Sequence, residues 1–373
     1  MVYRFLQPLD VLFLRGNKLF GNPGSFGEAL LPPWPAVAAG ALRSAILASA
    51  GIDLGAFAAG QVPHPSIGTP AAPGPFRVTA FHLARRVASG ACEALIAPPA
   101  DLILTRDAAG ALQVDRLVPT APAPGLASSA ALPLLPVLAA PSRRKPVGDL
   151  WLDQRAWASY LAGDLPIAAN LVPTAALWRL DARIGVGLDP ERRRADDGKL
   201  FTAQAVALCP EVGFLVGIAG AEVPTSGVVR FGGDGRAAAI QAAPGERPTP
   251  DLAAIARAGR CRLILTSPGI FPGGWCLPGV GSDQRLRHNG VRARLVSAAV
   301  PRADTVSGWD LAQWQPKAAQ RAAPTGSVYW LDELEATPEA LRELTDAGLW
   351  DDPGAHPARR AEGFNRFTFA AWA

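Results

Sequence analysis

The first fifty residues constrain the fold more than any other stretch of the chain. Val2 to Arg15 mixes aromatic, aliphatic and polar positions around Pro8, the pattern of one strand that bends or breaks at the proline. A glycine-rich loop, Gly21-Asn-Pro-Gly-Ser-Phe-Gly27, follows, and Pro32-Pro-Trp-Pro35 leads into Ala36 to Ala50. That segment sets Ala38, Leu42, Ala45, Ile46 and Ser49 on one helical face, with Gly40 expected to allow close approach to a sheet. Strand, glycine loop and helix in this order open a βαβ-type unit.

Farther along, Ala94 to Thr105 and Leu112 to Leu117 read as strands around a turn at Asp107 to Gly110, and Trp151 to Ala162 as a short amphipathic helix. Strand-like alternation returns at Trp178 to Leu188 and Leu200 to Ala219. A helix at Leu252 to Ala258, a strand at Cys261 to Thr266, a strand ending at Leu331 and a short terminal helix at Glu339 to Leu344 complete the pattern. Pro119 to Pro146 is rich in Pro and Ala and is expected to be a mobile insertion or partner-facing arm. Strands and helices mixed in both halves of the chain predict an α+β protein, and 373 residues favour two domains over one.

Composition narrows the partners only loosely. The net charge is +4, which favours a polyanion only if positive charge is focused on one face. Of 36 basic residues, lysine accounts for Lys18, Lys145, Lys199 and Lys317 alone. Arginine's planar fork suits phosphate, although abundant Ala, Gly and Pro point to base composition as a second cause of the bias. Cys92, Cys209, Cys261 and Cys276 are too far apart for a paired-cysteine zinc motif and read as small core residues of a reducing cytosol. The apolar run Leu126 to Ala140 is broken by Pro133 and Pro136 and falls short of the ~20 residues of a spanning helix. A cytoplasmic protein without membrane attachment is expected.

Few residues carry recognisable catalytic chemistry. His64 lies between prolines, His356 precedes one, His288 sits in a charged run, and His82 completes the set, so surface or capping roles compete with general-base roles. Gly198-Lys199 is followed by Leu200 where a phosphate-binding loop needs a hydroxyl. Gly233-Asp-Gly-Arg-Ala-Ala238 fits a dinucleotide fingerprint, but no carboxylate stands ~20 residues on. Asp196-Asp197 follows three arginines and reads as self-paired charge before it reads as a metal site. No catalytic residue, metal or cofactor is therefore assigned. What recurs is glycine turns beside basic and aromatic residues: Arg15, Lys18 and Phe20; Arg230, Phe231 and Arg236; Trp309, Trp314, Lys317 and Arg321. Glycine amides approach phosphates closely, arginine neutralises them, and rings stack on splayed bases. Each cluster is equally compatible with a solvated loop.

The ordered set of motifs is what resembles a known family. Phe5-Leu-Gln-Pro-Leu-Asp-Val-Leu-Phe-Leu-Arg15, Leu31-Pro-Pro-Trp-Pro35 and Ala39-Gly-Ala-Leu-Arg43 look like the amino-terminal signature of the third-subunit family of the type III-B CRISPR Cmr effector. Arg183-Ile-Gly-Val-Gly-Leu-Asp189, Gly198-Lys-Leu-Phe-Thr-Ala203, Phe231-Gly-Gly-Asp-Gly-Arg236, Ser307-Gly-Trp309, Pro316-Lys317 and Pro324-Thr-Gly-Ser-Val-Tyr329 follow in the family's order.

The resemblance implies two ferredoxin-like (RRM-like) domains with long loop insertions, placed at 1–175, with the Pro/Ala-rich insertion near 119–146, and at 176–373. It implies a non-catalytic subunit that grips the 5′ tag of crRNA beside the large polymerase/nuclease subunit and the first backbone (Cas7-like) subunit. Arg15, Lys18 and Arg43 would line the first domain's share of the groove. Arg230, Gly232, Gly233, Arg236, Lys317, Arg321 and Gly326 would line the second. No aromatic RNP strand is evident, so loops are expected to hold RNA more than the sheet face does. Two alternatives stay open: a metal-independent repeat-cleaving endoribonuclease of the Cas6-like type using His64 or His288, and an interaction protein without RNA contact.

Overall fold

The computed structural model describes residues 1–16, 26–125, 128–139, 144–189, 191–310, 312–352 and 354–372. The chain is α+β and divides into two compact units, neither of which is a continuous segment. The first comprises Met1–Cys92, Ala175–Pro244 and Thr305–Gln320, and the second Glu93–Thr174, Gly245–Asp304 and Arg321–Ala373. The expected boundary at 175/176 falls one residue from the crossing at 174/175, which is one of several between the units.

In the first unit, five strands of the main sheet run in the order Gly227–Arg230, Ala237–Ala242, Val2–Pro8, Val212–Ala219, Arg77–Arg86, and each neighbouring pair is antiparallel. Val2–Pro8 ends at the proline, as its missing N–H dictates. The helix Pro35–Ser49 begins with proline in its first turn and buries Ala38, Ala39, Leu42, Ile46 and Leu47. Gly40 is exposed, and a Cβ added there would meet open space, so the close sheet contact expected of it is absent. The aliphatic residues one turn apart bury the helix without it.

A long ribbon of Trp178–Asp189 with Arg194–Leu208, joined by the short parallel strand Phe26–Gly27, also belongs to the first unit. One face packs on the core: Phe13 clusters with Ala203 and Ala205, and Leu12 exchanges both backbone hydrogen bonds with Val206. Gly185 and Gly187 admit neighbours across this face. A Cβ at Gly185 would lie 2.3 Å from the Phe201 ring, and one at Gly187 would lie 2.9 Å from Lys199 Cβ. The opposite face carries Leu180, Ile184, Val186 and Leu188 at alternate positions, with Leu200 paired to Val186, and all five are exposed.

The second unit's sheet runs in the order Arg285–His288, Val291–Ala299, Val328–Glu335, Cys261–Leu265, Phe367–Ala371, again antiparallel throughout. One core cluster includes Leu263, Leu295 and Leu331 with Leu341 and Leu344 of the helix Pro338–Ala347. Another joins Ile264, Val296 and Trp330 to Trp157, Tyr160 and Leu161 of the helix Gln154–Ala162. Pro338–Ala347 is not terminal, since the helix Pro357–Ala361 and the last strand follow it.

The Pro/Ala-rich stretch is partly built into this unit. Leu135–Leu138 pairs with Leu117–Thr120, the Leu134 N–H donates to Val296 O, and Leu132 and Leu134 pack on the two clusters. Its leucines, which the Pro/Ala bias masks in the sequence, supply that anchorage. Residues 126–127 and 140–143 of the stretch lie outside the described residues.

Asp153 caps Gln154–Ala162 by accepting from the Arg155 and Ala156 N–H groups at 2.9 and 2.8 Å. Asp153→Ala is expected to destabilise the second unit by about 1 kcal/mol, read as a lower urea midpoint with an unchanged slope.

Candidate nucleic-acid interface

The basic glycine loop at 230–236, which the resemblance assigns to the second domain, lies in the same compact unit as Arg15 and Arg43. The reason is pairing: Ala237–Ala242 runs antiparallel beside Val2–Pro8 and carries the preceding turn with it. Arg230 is exposed at the end of the edge strand, opposite Ala237. Phe231, by contrast, is buried with its ring centroid 5.2 Å from that of Phe214, so it is a core ring and is unavailable to a base.

Phe13 is the hub of this loop. Its carbonyl accepts the Gly233 N–H at 2.8 Å, and its ring lies 5.3 Å from the Arg236 guanidinium and 6.0 Å from that of Arg183. Arg236 also pairs with the exposed carboxylate of Asp10. Gly232 adopts φ +84°, and a Cβ there would lie 3.1 Å from Phe13 O, so glycine is needed for the turn to close on this strand. Arg15 is exposed two residues beyond Phe13 and bridges Ala29. The result is a ridge of arginines around one aromatic ring and one exposed glycine turn. Arg183 was quoted in the sequence only as part of a motif; its alternation within a strand was the available signal for its placement.

The other candidates lie elsewhere. Arg43 projects from Pro35–Ser49 and stands 5.5 Å from the Phe76 ring. Lys317 closes a small hairpin in the first unit, where its N–H donates to Gly308 O at 2.8 Å. Arg321 is exposed in the second unit. Gly326 is buried in that unit with φ +86°; its N–H donates to Leu265 O and its carbonyl accepts from Ala100 N–H, so its backbone is committed to the turn. Lys18 and Phe20 lie outside the described residues.

The histidines weighed for catalysis occupy different settings. His64 Nδ1 accepts backbone N–H groups from Ser66 and Ile67 at 3.1 and 3.2 Å, a turn-capping arrangement. Burial holds the half-buried His288 below the usual imidazole range, opposed by the charge of Asp351. Cys92 and Cys261 are buried, and burial pushes the Cys261 thiol far above its ordinary range. No helix among the described residues is long and apolar enough to cross a membrane.

Comparison with known proteins adds the lineage. No curated protein matches the chain. Over 98% of its length it is similar in fold to a chain of the cryo-EM structure of the Type III-B Cmr-beta bound to cognate target RNA, covering 96% of that chain at 14% identity with a TM-score of 0.51. The Type III-B Cmr-beta bound to cognate target RNA and AMPPnP, state 1, gives 13% identity, coverage of 98% and 95%, and a TM-score of 0.50. A family model described as CRISPR-associated protein (Cas_Cmr3) matches residues 4–372, taking in the first strand, the ribbon, the glycine turn at Phe13 and the last strand. With that match running through both units, the chain belongs to the CRISPR-associated protein (Cas_Cmr3) family.

Proposed function

We propose that this chain is a non-catalytic subunit of a type III-B CRISPR effector complex that holds the 5′ tag of crRNA and docks against neighbouring subunits. Family membership supports the assembly. The observation that carries the RNA-binding part is the pair of guanidinium groups, Arg236 and Arg183, against the Phe13 ring beside an exposed glycine turn, with Arg15 and Arg230 exposed on the adjoining segments. Guanidinium groups neutralise and fork onto phosphate oxygens, and a glycine turn lets the strand approach the backbone. In this reading Lys317 of the first unit and Arg321 of the second also contact the RNA, and Lys18 and Arg43 complete the assignment.

Strand order supports reading both units as ferredoxin-like. Numbering Val2–Pro8, Arg77–Arg86, Val212–Ala219 and Ala237–Ala242 from one to four gives the order 4-1-3-2. Cys261–Leu265, Val291–Ala299, Val328–Glu335 and Phe367–Ala371 give the same order. Each unit keeps one crossover helix: Pro35–Ser49 follows strand one of the first, and Pro338–Ala347 follows strand three of the second. Both domains are discontinuous in this reading, and their loops, not their sheet faces, meet the RNA.

The exposed aliphatic face of the ribbon is the docking surface for a neighbouring subunit, the backbone or large subunit being the partners in this reading. Contiguous apolar surface of this kind is rare on a protein that works alone.

Equilibrium binding of tag RNA tests the proposal. Lys317→Ala with Arg236→Ala is expected to weaken binding and to flatten the slope of log affinity against log salt by roughly 0.7 for each phosphate that is no longer neutralised. An unchanged slope removes these two residues from the interface. Metal-free scission of repeat RNA that disappears in His64→Ala or His288→Ala would instead establish the endoribonuclease.

A further inference from the structure

The two most exposed tryptophans among the described residues stand together. Trp309 and Trp314 are 50% and 73% exposed, with ring centroids 6.0 Å apart and planes at 86°. Tryptophan normally contributes to a core, as Trp151, Trp157, Trp330 and Trp350 do here. The backbone beneath the exposed pair is well tied. Trp309 pairs with Pro316 and Asp310 with Gln315, while the Asp310 carboxylate accepts the Ala312 and Gln313 N–H groups at 2.9 and 3.2 Å. At the base, the Ser307 hydroxyl donates to Lys317 O at 2.7 Å. Trp314 itself is held at φ +52°, a left-handed conformation that a bulky residue rarely adopts.

The chemistry of the surroundings identifies the occupant. A docking site for an apolar protein surface is rimmed by further large apolar residues, whereas the described neighbours on this hairpin are the polar Asp310, Gln313, Gln315 and Lys317 with only the small Ala312 and Pro316 between them. The apolar area is two rings wide, the size of a base and much smaller than a stable protein interface. One cation adjoins it, because Lys317 lies along Gly308, where an added Cβ would be 3.7 Å from the lysine Cδ. A planar ring that carries an anion satisfies both features.

We propose that Trp309 and Trp314 form a stacking platform for one unpaired RNA base, with Lys317 engaging the adjoining phosphate. This rests on the RNA-binding reading above and gives it a base-contacting site separate from the Phe13 ridge. Stacking is indifferent to ionic strength, so the platform contributes affinity without contributing to the salt slope.

The test uses the full chain, tag RNA at two salt concentrations, and a series of tag RNAs each carrying one abasic nucleotide. Trp314→Ala and the double variant Trp309→Ala/Trp314→Ala are expected to bind roughly tenfold more weakly per tryptophan removed, with the salt slope unchanged and circular dichroism like wild type. At one abasic position the Trp314→Ala penalty should vanish, because the ring it stacks on is already missing, and Trp314→Phe should restore part of the affinity on intact RNA. Tryptophan variants that bind like wild type, or a penalty that persists with every abasic RNA, would overturn the platform alone. A wild-type chain that ignores tag RNA would overturn the RNA-binding reading with it.

Discussion

Asp101→Ala is expected to destabilise the second unit by about 3–5 kcal/mol, because it strands a buried cation. Asp101 is fully buried; it accepts from the Tyr160 hydroxyl at 2.8 Å and pairs with Arg262 at 2.7 Å. Arg262, 1% exposed, donates also to Ala371 O at 3.0 Å and Tyr160 O at 2.9 Å, and its guanidinium lies 4.3 Å from the Tyr160 ring. Arg116 stands 3.8 Å from the same carboxylate and is tied to the carbonyls of Gly163 and Asp164. Burial, with the Asp101 charge beside it, pushes the Tyr160 hydroxyl well above its ordinary range, which keeps it a hydrogen-bond donor to that carboxylate. Removing the carboxylate therefore leaves Arg262 unpaired and a tyrosine donor unmet. Arg262→Met should cost less, since Asp101 keeps Arg116 and Tyr160. The triple replacement Asp101→Leu, Arg262→Met, Tyr160→Phe should recover most of the loss. Urea unfolding followed by tryptophan fluorescence reads all three, and an Asp101→Ala penalty below about 1 kcal/mol would show that water reaches the site.

Ile184→Asp with Leu188→Asp is expected to abolish capture of a neighbouring Cmr subunit while leaving the chain folded and its binding of tag RNA intact. The two residues are 75% and 66% exposed, so nothing in the chain itself depends on burying them. On docking, each aliphatic side chain would contribute roughly 1.5–3 kcal/mol, and a carboxylate in its place adds a desolvation cost. Two such changes weaken assembly by at least ~100-fold. Native mass spectrometry of the co-expressed complex gives the answer, and undiminished assembly would remove the ribbon from the interface.

Local features of the fold were legible in the sequence. The opening strand ends at its proline, the helix starts at Pro35, and Leu252–Ala258 and Cys261–Leu265 lie where periodicity places them. Such signals are carried by neighbouring residues. Long-range pairing is not: nothing in Val2–Pro8 announces that its neighbours are Val212–Ala219 and Ala237–Ala242, so the division into 1–175 and 176–373 followed chain order where the spatial packing does not. The same limit applies to the candidate site. Arg230, Gly232, Gly233 and Arg236 stood out as a glycine turn with charge, but their place beside Phe13 depends on the sheet. Nothing beside Arg262 in the chain marks it as buried, because its partner Asp101 lies 161 positions away.

The position of Val2–Pro8 at the middle of its sheet bears on how the protein is made. Both partners of this strand lie more than 200 residues downstream. During synthesis its edges stay unpaired until nearly two thirds of the chain has left the ribosome, a long exposure of a sticky apolar segment that includes Phe5 and Leu6. High sequence separation between contacting strands also slows folding. A fragment that stops before residue 242 should therefore collect in inclusion bodies instead of forming an independent half.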